Sequence, residues 1–207
     1  MYDGPIIDTH HHIWEVRNYP WLTAPPSPKI FGPEYELLRQ DYLIDDLLGD
    51  FGDNKIVKSV HEQAHYNPPD HAGETRWLQG VADENGFPHA IVGHANITDD
   101  DIETMLAAHL QYKNIRGIRH VVAWHPDKPE WQVVDRPNFC LSPEFHRGLE
   151  ALEAGGLHFE LQGFANQFKF FADLLAGHSG LQFCLVHGGL LTGDDNASFE
   201  AWRRAIA

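Results

Sequence analysis

Six short apolar runs, each closing on polar residues, constrain this chain most. They cover residues 5–7, 56–64, 90–95, 115–121, 157–162 and 181–186. Most show no alternation of apolar and polar positions, the pattern of strands buried on both faces. Between them lie helix-like stretches at 41–51, 70–86, 98–112, 142–154 and 164–175, and a further helix begins at 199. Strand and helix in strict succession predict an α/β fold with a parallel sheet. The polar residues His10, His12, Gln63, His94, Arg119, His120, Gln162 and His187 fall at the carboxyl ends of the runs. A (β/α)8 TIM-barrel carries its site on that rim.

The local signals are specific. Ser142-Pro143-Glu144 reads as a helix start, with a cap, a first-turn proline and a first-turn acid. In 98–112, Ile102, Met105, Leu106, His109 and Leu110 share one face, and Thr98 with Asp101 is expected to form a capping box. In 70–86, Trp77, Leu78 and Val81 should point inward. Residues 14–33 are rich in proline and aromatics and read as a long irregular loop, either a pocket wall or a packed surface segment. Residues 66–70 read as a turn. No Gly-x-Gly-x-x-Gly follows the first run, so a dinucleotide fold gains no support. Eight βα units usually need about 250 residues. The chain has 207 and stops in a helix, so a single barrel domain over 1–207 is expected, with about six units present and the C-terminal two missing.

Composition narrows the partners. The net charge of −15 repels phosphates and argues against nucleic acid. No run of eighteen apolar residues exists to span a membrane, and no signal-like start occurs, so a cytoplasmic location is expected. Two cysteines, Cys140 and Cys184, give no disulfide framework, and Cys184 is expected to be buried in the sixth strand. The fifteen histidines equal all lysines and arginines together, a large supply of imidazole.

Three of those histidines adjoin in Asp8-Thr9-His10-His11-His12. Strand alternation places His10 and His12 on one face, where they can grip one metal ion, and turns His11 away. His61 and Gln63 also share a strand face and are expected to line a substrate pocket; a satisfied core position is the alternative for His61. Arg119 suits a substrate carboxylate, because its planar fork pairs with two oxygens. A salt bridge to a buried acid is its alternative. His61-Glu62-Gln63-Ala64-His65 also fits His-Glu-x-x-His, the zinc peptidase motif, which works only on a helix. The β-branched residues before it favour a strand, on which His61 and His65 would lie about 13 Å apart.

Ile7-Asp8-Thr9-His10-His11-His12-Ile13-Trp14 followed by Tyr19-Pro20-Trp21-Leu22 resembles the start of amidohydrolase-superfamily proteins of the amidohydrolase-related type. The likeness is nearest to the TIM-barrel metal-dependent hydrolase branch that contains lactonases. It continues through 58–64, 74–78, Arg116-Gly117-Ile118-Arg119 and Val186-His187-Gly188-Gly189. The resemblance implies one divalent metal, zinc or manganese, with His10, His12 and His187 as ligands and His187 as a catalytic residue. Metal-free members occur in the branch, so metal-free catalysis stays open. The family usually has Asp before its strand-six histidine; Val186 stands there in this chain. The family's acidic residue on strand eight would fall beyond residue 207.

The implied activity is hydrolysis of a small carboxylated lactone or ester by activated water. The expected partner is a small-molecule substrate, and the resemblance leaves room for a homo-oligomer. The alternatives are an inactive barrel fragment that binds a small acid, a zinc peptidase, and a TatD-like nuclease.

Overall fold

The computed structural model describes residues 3–24, 35–66, 70–193 and 195–206. The prolines at 25–33, the 67–69 part of the expected turn, and residues 1–2, 194 and 207 lie outside the described residues. Six strands form one sheet in chain order: β1 (Ile6–His11), β2 (Ile56–Glu62), β3 (Ala90–His94), β4 (Ile115–Val121), β5 (His158–Gln162) and β6 (Phe183–Leu185). The pairs β1–β2, β2–β3 and β5–β6 are parallel. Parallel neighbours need crossover connections, and helices supply most of them. Between strands lie α1 (Pro20–Thr23), α2 (Ile44–Phe51), α3 (Gly73–Asn85), α4 (Ile102–His109), α5 (Pro143–Ala154) and α6 (Phe168–Gly177), and α7 (Asn196–Ile206) follows β6. The α/β class and the count of six strands agree with the sequence. Among the described residues no helix is long and apolar enough to cross a membrane.

The chain divides into two compact units. The first comprises Met1–His94 with Ala107–Gly117, the second Ala95–Leu106 with Ile118–Ala207. In the first unit, the loop after β1 is a packed element as far as Ala24. Tyr19 and Leu22 are fully buried in an aromatic cluster with Trp14 and Tyr35. Polar ties hold it: Trp21 Nε1 donates to the Ala64 carbonyl at 2.7 Å, and Tyr19 donates to Glu74 Oε1 at 2.8 Å. Of the three residues expected inward on α3, only Leu78 is fully buried. The buried face also carries Glu74, Thr75 and Gln79. Gln79 accepts from Asn114 N–H at 2.9 Å, so this helix docks through hydrogen bonds as well as apolar area. β1 departs from the non-alternating pattern: Ile7 is 54% exposed and Thr9 is exposed, because β1 ends the strand order and has one strand neighbour.

In the second unit, Ser142 caps α5 as expected: its side chain accepts from Phe145 N–H at 3.3 Å, with Pro143 in the first turn. The expected capping box at Thr98 does not form. Asn96 Oδ1 takes both the Thr98 hydroxyl, at 2.8 Å, and the Thr98 N–H, at 3.3 Å. That local turn competes with helix, so α4 starts at Ile102. Gln167 is buried and satisfied at both ends of its amide. Its Oε1 accepts from Trp124 and Phe164 N–H, and its Nε2 donates to the Val122 and Pro137 carbonyls. Cys184 is exposed, not buried, because β6 is three residues long and ends the strand order.

Gly148 sits where α5 meets the backbone of Ile97, and a Cβ there would run into the Ile97 carbonyl. Gly80 on α3 has open space around it. Gly148→Ala is therefore expected to destabilise by about 2 kcal/mol or more. Gly80→Ala is expected to stabilise by about 0.5–1 kcal/mol, through helix propensity. Urea midpoints of the two variants check both signs.

Candidate active site

The first unit holds the histidine triplet. The register of β1 on β2 slips between Asp8, opposite Ser59, and His11, opposite His61. Such a bulge re-aims side chains at a strand end. His11 is buried, with Nδ1 3.2 Å from Asp8 Oδ2. Burial holds its pKa below the usual value, and Asp8 works against that shift. His10 and His12 are half-buried, and their rings meet edge-on with centroids 5.1 Å apart. The two imidazoles lie together as expected, but at a bulge and strand end rather than through regular alternation. His11 is not turned away from them: its ring lies 5.4 Å from that of His61, which lies 5.9 Å from that of His12.

His12 is oriented from two sides. Its ring stacks on Trp14, with centroids 6.0 Å apart, and its Nδ1 lies 2.8 Å from the Glu62 carbonyl oxygen. A carbonyl only accepts, so Nδ1 carries the proton, and in the neutral ring Nε2 presents a lone pair. That is the arrangement in which an imidazole binds a metal.

His61 is fully buried, and its Nε2 accepts from Ile13 N–H at 3.1 Å. This contact fastens the chain just past the triplet, the core role that was the alternative for His61. Gln63 is also fully buried, and its Oε1 accepts from His65 N–H at 2.7 Å. His65 has φ 58°, in the left-handed region, and its ring lies 5.0 Å from that of His94. His61-Glu62-Gln63-Ala64-His65 therefore starts on a strand and ends in a turn, and the helix a zinc peptidase needs is absent. The His65–His94 pairing was not legible in the sequence, because it depends on that turn.

Behind β3, His109 is buried. The Thr75 hydroxyl lies 2.9 Å from its Nδ1, and its Nε2–H donates to the His94 carbonyl at 3.1 Å. Gly93 makes room for the ring: a Cβ there would lie 2.8 Å from His109 Cε1.

The second unit holds Arg119, Glu160 and His187. Arg119 on β4 is 5% exposed. His187 follows β6 in a tight turn, with φ 54° and ψ 26°. Its pKa is lowered, first by burial and then by the Arg119 charge, while Glu160 opposes the shift. Arg119 and Glu160 therefore both lie within electrostatic reach of the His187 ring. Glu160 was missed from the sequence. It stands inside an apolar strand, is 6% exposed, and lies 3.2 Å from His158 Nε2. An acid in such a strand was the available signal. None of the expected site residues lines the cleft of about 290 Å³ built from His125, Asn166, Leu190 and Trp202. Among the described residues no three His, Cys, Asp or Glu side chains are arranged to hold a metal ion.

A sequence model of the amidohydrolase family matches residues 7–207. The chain belongs to that family. An uncharacterised protein of Sinorhizobium fredii (strain NBRC 101917 / NGR234), y4mH, is 38% identical over 208 residues, which is 100% of this amidohydrolase and 69% of that protein. Among solved structures, an amidohydrolase from Burkholderia multivorans with bound zinc is similar at TM-score 0.75 and 23% identity. The match covers 98% of this chain and 65% of that one. A probable 2-pyrone-4,6-dicarboxylic acid hydrolase from Acinetobacter baumannii with citric acid bound is similar at TM-score 0.61 and 14% identity, covering 96% and 65%. These likenesses show a shared fold. The chain spans about two thirds of the length of each.

The His109 network sets an acid limit. Burial pushes its pKa down to about 4 from 6.5. The unfolded chain binds the proton first, so the stability held by neutral His109 is whole above about pH 6.5. It is lost as pH falls towards 4, by about 3 kcal/mol in all. His109→Gln keeps a donor towards the His94 carbonyl but does not titrate. Its unfolding free energy between pH 7 and 4 is expected to be flatter than the parent's by about one proton.

Proposed function

We propose that this amidohydrolase opens a small carboxylated lactone or ester with activated water, using one divalent metal, zinc or manganese. The observation that carries the reading is His12 Nδ1 against the Glu62 carbonyl. A neutral His12 held this way has no N–H on Nε2 to offer a substrate oxygen, which disfavours the metal-free reading. It has a lone pair, which suits a metal. The zinc in the B. multivorans structure supports the same reading. His10 and His12 supply two ligands, and the family pattern adds His187. A bound ion would supply a Lewis acid and a water acidic enough to ionise near neutral pH.

The chain's own groups do the rest. Arg119 binds the substrate carboxylate through its fork, and its burial keeps water from competing. His187 stays neutral because burial and Arg119 oppose its protonation, so it keeps a lone pair for the ion or for the attacking water's proton. When water adds to the carbonyl carbon and the ring C–O bond breaks, that proton passes to the leaving oxygen. His61 and Gln63 shape the pocket wall by fixing Ile13 and His65. The citric acid in the A. baumannii structure is in keeping with a carboxylated ligand.

Elemental analysis tests the metal. The parent is expected to hold about one zinc or manganese per chain, and His10→Ala with His12→Ala to lose it. No metal in the parent, or unchanged content in the variant, overturns the assignment. On a panel of carboxylated lactones, Arg119→Lys is expected to raise KM by roughly 10-fold or more with a smaller change in kcat. Binding of the acids with no turnover of any lactone would overturn the hydrolytic reading.

A further inference from the structure

Another imidazole pair lies in the second unit, apart from the strand-end residues. His146 is on α5, and His178 closes α6. His146 Nδ1 and His178 Nε2 are 2.7 Å apart, and the rings lie nearly parallel, at 16°. His178 is 7% exposed. Two ring nitrogens at that distance share one proton, with one N–H donating and one lone pair accepting. A second proton would set two N–H groups against each other and add like charge.

The groups that act on the pair come from α5. Burial first, and then the charge of His146, keep the His178 pKa below its usual value; Glu150 and Glu153 work in the other direction. Glu153 also lies against Gly180, where a Cβ would meet its carboxylate, so α5 touches both ends of the 178–180 turn. His178 N–H bonds the Leu175 carbonyl, and Leu181 N–H bonds the His178 carbonyl. β6 starts two residues later, and the His187 turn follows directly.

We propose that the His146–His178 pair is an acid-sensitive fastener that holds the α6–β6 connection on α5 while one proton is shared, and releases it when both rings are protonated. Acid would then loosen β6 and the turn that presents His187 before the rest of the unit unfolds. The inference stands apart from the hydrolase reading, because none of its readouts uses activity or metal.

Hydrogen exchange of peptides spanning 178–187, corrected for the intrinsic effect of pH, tests it on the full chain. Protection is expected to fall at least 10-fold between pH 7.5 and 5 in the parent, while peptides from the middle of α5 keep theirs. His146→Phe removes the ring nitrogens and keeps an aromatic side chain. Its 178–187 peptides are expected to exchange fast at both pH values. Unchanged protection in the parent, or a variant with the parent's pH response, overturns the proposal. If the variant does not fold, imidazole ¹⁵N shifts of the parent decide: one shared proton at pH 7.5 supports the fastener, and two rings titrating independently near 6.5 overturn it.

Discussion

The hydrogen bond from His12 Nδ1 to the Glu62 carbonyl joins the end of β1 to the end of β2, and the local site in the first unit depends on it. It selects one tautomer and so turns Nε2 into a lone-pair donor. It requires the strand ends in the right register, and the slip between Asp8 and His11 supplies that register. The neighbouring contact from Ile13 N–H to His61 Nε2 holds the chain as it leaves the strand. Two histidines thus do different work within a few ångströms: one is oriented for a ligand, and the other fastens backbone.

The same economy recurs behind the sheet. α3 sends Glu74, Thr75 and Gln79 inward, and each meets a defined partner. A buried polar group is tolerable only when satisfied, so these contacts specify how α3 docks more narrowly than apolar area could. Gln167 does this in the second unit, where one side chain satisfies four backbone groups around the loop after β4. The strand ends that follow Arg119 on β4 and Glu160 on β5 are therefore set by polar bonds as well as by packing.

Much of this was legible before folding. The α/β class followed from apolar runs too short for helices, and the α5 start from Ser142, Pro143 and Glu144, because capping is local chemistry. The closeness of His10 and His12 was legible in their spacing, but the bulge that sets their register was not. Other features were hidden for physical reasons. The α4 start was misplaced because Asn96 captures Thr98, and side-chain turns of that kind leave little trace in a periodicity. Glu160 was passed over because an apolar strand gives no sign of which long-range partners its one acid will meet.

The sequence by itself determined the order of strands and helices and the residue types at the strand ends, because these rest on local propensity and spacing; the family was legible only through the resemblance of its motifs. Tertiary structure decided what each histidine does. His12 became a lone-pair donor, His61 a fastener, His109 a neutral buried link and His146 with His178 a proton-sharing pair. An imidazole's role is set by which of its two nitrogens is engaged. That engagement comes from groups far along the chain, such as the Glu62 carbonyl fifty residues from His12.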